Sequence, residues 1–387
     1  MSAPRPRTVL YLHSSAGRYG ADRQLTTIVD GLDRAAFRPL VVLAEDGPLV
    51  DDLRDAGADV LVRPLAVLRR EVLSPTGLVG LGRALGADVR ALGRVVADHD
   101  VRLVHTNTSV TLGGAAVARR AGIPHVWHVR EDYAGFARGW PALRRLLLTA
   151  DALPCVSEAV RAQFDGTRRS SRATVIHDGL GDVGPAVARD EARRSLGLAD
   201  DAFVVAVLGR ISPWKGQRLL VEALGDPALR DAPDVVALVA GEAWRRAPGP
   251  PAELRRRAAE LGVADRVLLP GFVEPVGRVY GAADVVVVPS TDPDPLPNAA
   301  LEAARAGCCV VAADHGGLPE ILDGGRLGVL VPPRDPAALA GALAALRRDP
   351  ERRIALGAAA GEATPRRFSA ARMAARIDAL YRTVLDH

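Results

Sequence analysis

The chain has 387 residues, 48% hydrophobic, 25% charged and 4% aromatic, a balance that excludes disordered, collagen-like and coiled-coil proteins. At about 150 residues per domain the length fits two domains, each with its own core. Of 50 basic residues 49 are Arg and one is Lys, at position 215; residues 1–180 carry 24 Arg against 19 acidic residues, net +5, and the remainder is net −1.

The positive first half, whose expected loops Arg63–Ser74 and Tyr133–Arg145 set arginine next to leucine, suits an anionic partner or an anionic membrane surface, and peripheral membrane contact is expected there. No basic run is interleaved with aromatics, so nucleic acid is not an expected partner. No apolar run approaches the roughly 20 residues of a membrane-spanning helix. The start, Met1-Ser-Ala-Pro-Arg-Pro-Arg7, leads into a strand pattern rather than an apolar signal core, so the expected compartment is the cytoplasm. Cys155, Cys308 and Cys309 have neither a disulfide framework nor zinc-ligand spacing and read as buried thiols.

Short β-rich runs alternate with helical patterns along the chain, the mark of βαβ units and parallel sheets. The first half offers strands at Val9–His13, Leu40–Ala44, Asp59–Val62, Leu103–His105, His125–Val129, Ala152–Val156 and Thr174–Ile176, with helices such as Ala21–Leu32 and Thr111–Ala121 between them. A stretch without periodicity around Asp178–Asp190 reads as a linker. The alternation restarts with Phe203–Leu208, Val235–Ala240, Val267–Leu269, Val285–Val288, Cys309–Ala312 and Gly328–Val331, and ends on a helical pattern at Ala370–Leu385. The expected class is therefore α/β, with two doubly wound, Rossmann-like domains: 1–180, a linker at 181–200, 201–365, and a terminal helix at 366–387 that packs back on the first domain. Ligands of such sheets sit beyond the carboxyl ends of the strands, in a cleft if two domains face each other.

The loop after the strand Val285–Val288 is the most informative. It runs Pro289-Ser-Thr-Asp292-Pro-Asp294-Pro-Leu296-Pro297-Asn298 and enters a helix that carries Glu302. A helix start presents unpaired N–H groups and a partial positive charge to a phosphate, and flanking carboxylates accept hydrogen bonds from sugar hydroxyls. An ordinary capped helix with a solvated Glu302 has the same pattern. After the strand Phe203–Leu208 come Gly209, Arg210 and, five residues on, Lys215-Gly216. A guanidinium and an ammonium at one strand end clamp a diphosphate, the first as a planar fork and the second as a point charge. His315-Gly316-Gly317-Leu-Pro-Glu320 is another strand-turn-helix junction whose glycines admit close backbone approach. In the first half, His13 ends a strand and Gly20-Ala-Asp-Arg-Gln opens a helix; the G-x-G-x-x-G dinucleotide spacing is absent. His128 and Arg130 project beyond another strand, while His105, His125 and His177 read as local hydrogen-bonding residues.

Together these motifs resemble family 4 glycosyltransferases of the GT-B fold over nearly the whole length: Gly20-Ala-Asp-Arg-Gln, Gly209-Arg210 with Lys215-Gly216, the acidic pair Asp294 and Glu302, and His-Gly-Gly-Leu-Pro-Glu. The resemblance implies a retaining, metal-independent hexosyltransferase with no cofactor, which takes a nucleoside diphosphate sugar, UDP-linked in the base case and GDP-mannose as an alternative. It implies that Arg210 and Lys215 neutralise the diphosphate and that Glu302 holds the ribose. Asp294, with the backbone at Leu296, Pro297 and Asn298, would orient the sugar. Gly20 would approach the phosphates, Gly209 would belong to the donor site, and Gly316 and Gly317 would line the sugar. A small-molecule or lipid-linked acceptor, such as a glycan, a glycolipid or an aminocyclitol, is assigned to His13, Asn107, Arg130 and Glu131. The family usually has Glu at the first acidic position, where Asp294 is one methylene shorter. Where it often has His-Asp, this chain has Arg130-Glu131 with His128 two residues earlier, so both His128 and Arg130 are candidates for the reacting centre. The competing readings are a metal-dependent transferase built on Asp292 and Asp294, a nucleotide-sugar epimerase of similar shape, and a two-domain binding protein without catalysis.

Overall fold

The computed structural model describes residues 5–68, 75–136, 139–181, 187–243 and 249–386. The chain divides into two compact units: Met1–Gly179 with Ser369–His387, and Leu180–Phe368.

In the first unit the strands are β1 (Arg7–His13), β2 (Phe37–Leu43), β3 (Asp59–Val62), β4 (Val101–Thr106) and β5 (His125–Trp127), paired in parallel in the order β3-β2-β1-β4-β5. A short pair, β6 (Leu153–Cys155) and β7 (Ala173–Val175), joins β5 through single bridges at Val126–Ala152 and Val129–Cys155. Side chains alternate across a strand. Val9 and Tyr11 enter one core with Leu25, Ile28 and the terminal-helix residues Met373, Ile377 and Tyr381. Leu10 and Leu12 enter a second core with Leu92, Val95 and Val117. With both faces covered, every residue of β1 after Arg7 is buried, which explains its unbroken apolar reading.

The terminal helix Ala370–Leu385 starts on Ser369, whose hydroxyl caps Arg372 N–H, and packs along the helix Gly20–Asp30. Its buried Tyr381 donates a hydrogen bond to the Tyr11 hydroxyl at 2.9 Å and also meets His105 Nδ1. This helix belongs to the same compact unit as β1 although it lies at the other end of the chain.

The second unit has β8 (Phe203–Leu208), β9 (Val235–Ala240), β10 (Val267–Gly271), β11 (Val285–Val288), β12 (Cys309–Ala313) and β13 (Val329–Val331). They pair in parallel in the order β10-β9-β8-β11-β12-β13. In both sheets the order reverses beside the first strand, between β1 and β4 and between β8 and β11. Those two reversals are the places where a parallel sheet leaves a crevice at its carboxyl edge.

Two expectations from the sequence are corrected. The linker assigned to 181–200 contains the helix Arg189–Leu196, which is part of the second unit. Its Arg193, 1% exposed, pairs with buried Asp284 at 2.8 Å; Asp284 also accepts from Arg189 at 2.8 Å and from Val204 N–H at 2.8 Å. The low apolar content that resembled a linker belongs to a helix held by buried charge instead. Tyr133–Arg145, read as a loop, includes part of the helix Trp140–Leu147; the other Arg-rich stretch, Arg63–Ser74, lies outside the described residues from 69 onward. No described helix is long and apolar enough to cross a membrane.

Removing Asp284 leaves the Arg193 guanidinium buried without its counter-charge. Asp284→Ala is expected to lower the stability of the second unit by about 3–5 kcal/mol in chemical denaturation; a loss below about 1 kcal/mol would contradict the anchoring role.

Candidate active site

In the first unit the reversal point brings five residues, His13, Asp22, Asn107, Arg130 and Asp178, into one buried network. His13, at the end of β1, hydrogen-bonds Asp22 through Nε2 at 2.8 Å, and its Nδ1 accepts from the Asn107 amide at 3.1 Å. Asn107 follows β4 and its backbone N–H donates to Leu12 O at 3.0 Å. Arg130, three residues beyond β5, donates through Nε to Asn107 O at 3.1 Å and through Nη1 to Asp178 at 2.5 Å, in an ion pair whose side chains are 5% and 7% exposed. Burial raises the Asp178 carboxyl and Arg130 works against that. For Asp22, burial also opposes ionisation, but the hydrogen bonds from His13, Ser15 and Tyr19 N–H outweigh it and hold the carboxyl below its ordinary range. Both polar ends of His13 and of Asn107 are thus taken up within the protein, and the pair braces the carboxyl edge. Gly20 is exposed at the first turn of the helix that Asp22 caps.

Glu131 is partly buried and accepts from Ser109 N–H, the Ser109 hydroxyl and Arg130 N–H on a single oxygen; burial nonetheless raises its carboxyl. His128 differs from its neighbours. Its ring is buried, its centroid lies 5.5 Å from that of His105, and neither ring nitrogen has a hydrogen-bond partner. Burial, then the charge of Arg130 and the ring of His105, keep His128 neutral well below the usual histidine range.

In the second unit the reversal point lies between the loops after β8 and β11. Lys215 ends a single 3-10 turn, Pro213–Lys215, and its Nζ donates to Asp294 Oδ2 at 2.6 Å while standing 4.2 Å above the Trp214 ring. The side chains are 24% and 7% exposed, so the ammonium is partly open and the carboxylate is not. Gly216 makes this approach possible. Its φ is +75°, and a Cβ would stand 1.8 Å from Pro289 O on the facing loop. Gln217, buried one residue on, donates to Arg210 O at 3.0 Å and shapes the loop that carries Arg210 and Gly209.

The turn after β12 closes on the same loop. Gly317 N–H donates to Asp294 O at 2.9 Å, and at Gly316, φ +61°, a Cβ would stand 2.3 Å from that carbonyl. His315 Nε2 bonds Ser290 O at 2.8 Å. Leu296 and Pro297 are buried and lead into the helix Asn298–Arg305. Glu302, in its second turn, is 2% exposed and accepts from the Tyr280 hydroxyl at 2.9 Å. The second unit therefore brings Arg210, Lys215, Asp294, Glu302, Gly316 and Gly317 onto one carboxyl edge. The carboxylates of the proposed Asp-x-Asp metal pair face separate cations, Asp292 meeting Arg334 at 2.6 Å and Asp294 meeting Lys215.

Sequence reading missed Asp178, Gln217 and Tyr280. Asp178 lay in the stretch taken for a linker, and no local pattern marks a tyrosine whose partner is 22 residues away.

Fold and sites define a tandem, doubly wound α/β protein whose second reversal point is suited to an anion flanked by carboxylates. Residues 18–180 match the family described as Glycosyltransferase Family 4, and residues 202–349 match Glycosyl transferases group 1. A D-inositol 3-phosphate glycosyltransferase from Geodermatophilus obscurus is 45% identical over 165 residues, covering 41% of this chain and 36% of that protein. Its counterpart from Corynebacterium efficiens is 38% identical over 196 residues, covering 50% and 46%. The matched region thus spans less than half the length of these curated relatives. Among solved structures, Anabaena HepE in complex with UDP-glucose superposes with a TM-score of 0.82 at 26% identity, covering 97% of this chain and 99% of that one. The sucrose-phosphate synthase of Thermosynechococcus elongatus shares the fold, with a TM-score of 0.78 at 20% identity over 98% and 99% of the two chains. The chain belongs to the family 4 glycosyltransferases and has the GT-B fold.

Because Gly216 holds a left-handed conformation against a facing carbonyl, Gly216→Ala is expected to cost at least about 2 kcal/mol in denaturation and to displace Lys215. An alanine variant of unchanged stability would contradict this geometry.

Proposed function

We propose that the protein is a retaining, metal-independent glycosyltransferase that moves a hexose-type sugar from a nucleoside diphosphate sugar to an acceptor hydroxyl. The observation that carries this reading is the Lys215–Asp294 contact at the second reversal point, where a cation for phosphate and a carboxylate for sugar hydroxyls stand 2.6 Å apart. As the bond to the sugar's anomeric carbon breaks, negative charge grows on the departing diphosphate. The Lys215 ammonium, the Arg210 fork and the N–H groups that open the helix Asn298–Arg305 stabilise that charge. Asp294 orients the sugar ring and Glu302 holds the ribose. Retention fits a front-face departure with oxocarbenium character, in which the leaving phosphate accepts the acceptor proton.

Of the two first-unit candidates, Arg130 commits Nε to Asn107 and Nη1 to Asp178 and leaves only Nη2 without a partner. A buried imidazole with neither nitrogen bonded loses solvation without compensation. His128 is in that position at both nitrogens, which supports it as the candidate to hydrogen-bond the reacting sugar. The acceptor meets the carboxyl edge that His13, Asn107, Arg130 and Glu131 build. UDP is the favoured nucleotide, with GDP the alternative; the similarity to a structure holding UDP-glucose supports it. Relatives named for D-inositol 3-phosphate support a phosphorylated cyclitol among the glycan, glycolipid and secondary-metabolite acceptors, and the net +5 of residues 1–180 suits its charge. The helix Trp140–Leu147 sets Arg144 and Arg145 beside Leu146, 36% exposed, which supports peripheral contact with an anionic membrane surface by a cytoplasmic protein.

Steady-state kinetics with a UDP-sugar test the assignment. Lys215→Ala is expected to lower kcat by about 10²–10³; full activity in that variant would overturn it. Activity is expected to survive EDTA unchanged, whereas a strict Mn²⁺ requirement would favour a metal held at Asp292 and Asp294.

A further inference from the structure

Tyr280 lies in the helix Gly277–Ala282, which follows β10 and is not adjacent in sequence to any of the site motifs. It is 6% exposed, and its hydroxyl donates to a buried charged group, Glu302 Oε2, at 2.9 Å. Its backbone is fixed from two sides. Cys308 Sγ donates to Tyr280 O at 3.5 Å, and the next residue, Gly281, packs so closely on the helix Arg189–Leu196 and its approach that a Cβ would stand 2.3 Å from Val187 O. The direction of the phenol is therefore set by packing before any ligand arrives.

The terminal torsion of a glutamate is broad and roughly two-fold, so a carboxylate without a fixed donor samples a wide range of planes. A hydroxyl anchored on one oxygen removes that freedom and fixes the lone-pair directions of both. We propose that Tyr280 is a positioning residue for Glu302, and that through it the site selects ribonucleoside over 2′-deoxyribonucleoside diphosphates. The proposal rests on the reading of Glu302 as the ribose-binding group. A purely structural role for Tyr280, in which two buried polar groups satisfy each other, would not distinguish between the two kinds of sugar.

Isothermal titration of UDP and 2′-deoxy-UDP, with GDP and 2′-deoxy-GDP run beside them, into the wild type, Tyr280→Phe and Glu302→Gln decides the matter. The wild type is expected to prefer the ribonucleotide by about tenfold, the value of one hydrogen bond to a charged group. In Tyr280→Phe that preference falls to about twofold while affinity for the 2′-deoxy compound stays within about twofold of wild type. Equal weakening of both nucleotides, or an unchanged preference in Tyr280→Phe alongside a lost preference in Glu302→Gln, overturns the positioning role alone. An unchanged preference in Glu302→Gln overturns the ribose reading itself.

Discussion

The second unit is organised around one electrostatic fact: an ammonium and a carboxylate are held 2.6 Å apart at the point where a parallel sheet reverses its strand order. Neither partner reaches that point by itself. Lys215 depends on the positive φ of Gly216 and on close contact with the loop after β11, and Asp294 depends on a carbonyl tied to Gly317 N–H. A partly buried pair of this kind gains little as a net stabiliser, since desolvation offsets attraction. Its value lies in placing a cation and an acceptor of hydroxyl hydrogen bonds side by side. Under the proposed function, a diphosphate arriving there would compete with Asp294 for the ammonium, coupling phosphate binding by charge to release of the carboxylate toward a sugar.

The first unit repeats the topology with different chemistry. There the reversal point is filled by hydrogen-bonded groups: His13 between Asp22 and Asn107, and Arg130 between Asn107 and Asp178. Nothing in that network resembles a cation held open for phosphate. The unit instead presents a carboxyl edge braced by that network, beside which both ring nitrogens of His128 are buried without a partner. Two copies of one architecture thus carry different chemistry at their reversal points, an ammonium–carboxylate pair in one and a hydrogen-bonded network in the other. The terminal helix ties the first unit together by sealing Tyr11 and His105 under Tyr381.

Much of this was legible in the sequence, for identifiable reasons. Val235–Ala240 and Val285–Val288 read as strands because both faces of the sheet are covered, so the apolar runs are unbroken. Lys215 stood out because it is the single lysine among 50 basic residues. The helix Pro75–Asp98 is harder to read, since glycines interrupt it; Gly80, Gly82, Gly86 and Gly93 face open space in the structure, while Leu92 is fully buried. The helix Arg189–Leu196 failed for the opposite reason. Its buried side includes Arg193, and hydrophobic periodicity does not register a charge that is neutralised by an aspartate 91 residues away. Tyr280 was invisible on the same ground, because a hydroxyl that meets a carboxylate only in the folded chain leaves no local pattern.

The most direct test of the central claim is a crystal structure of the protein with a sugar nucleotide bound. The account predicts both phosphates within hydrogen-bond distance of the Lys215 ammonium and the Arg210 guanidinium, at the carboxyl edge of β8 and β11. A diphosphate bound elsewhere on the chain, with Lys215 still closed on Asp294, would contradict it.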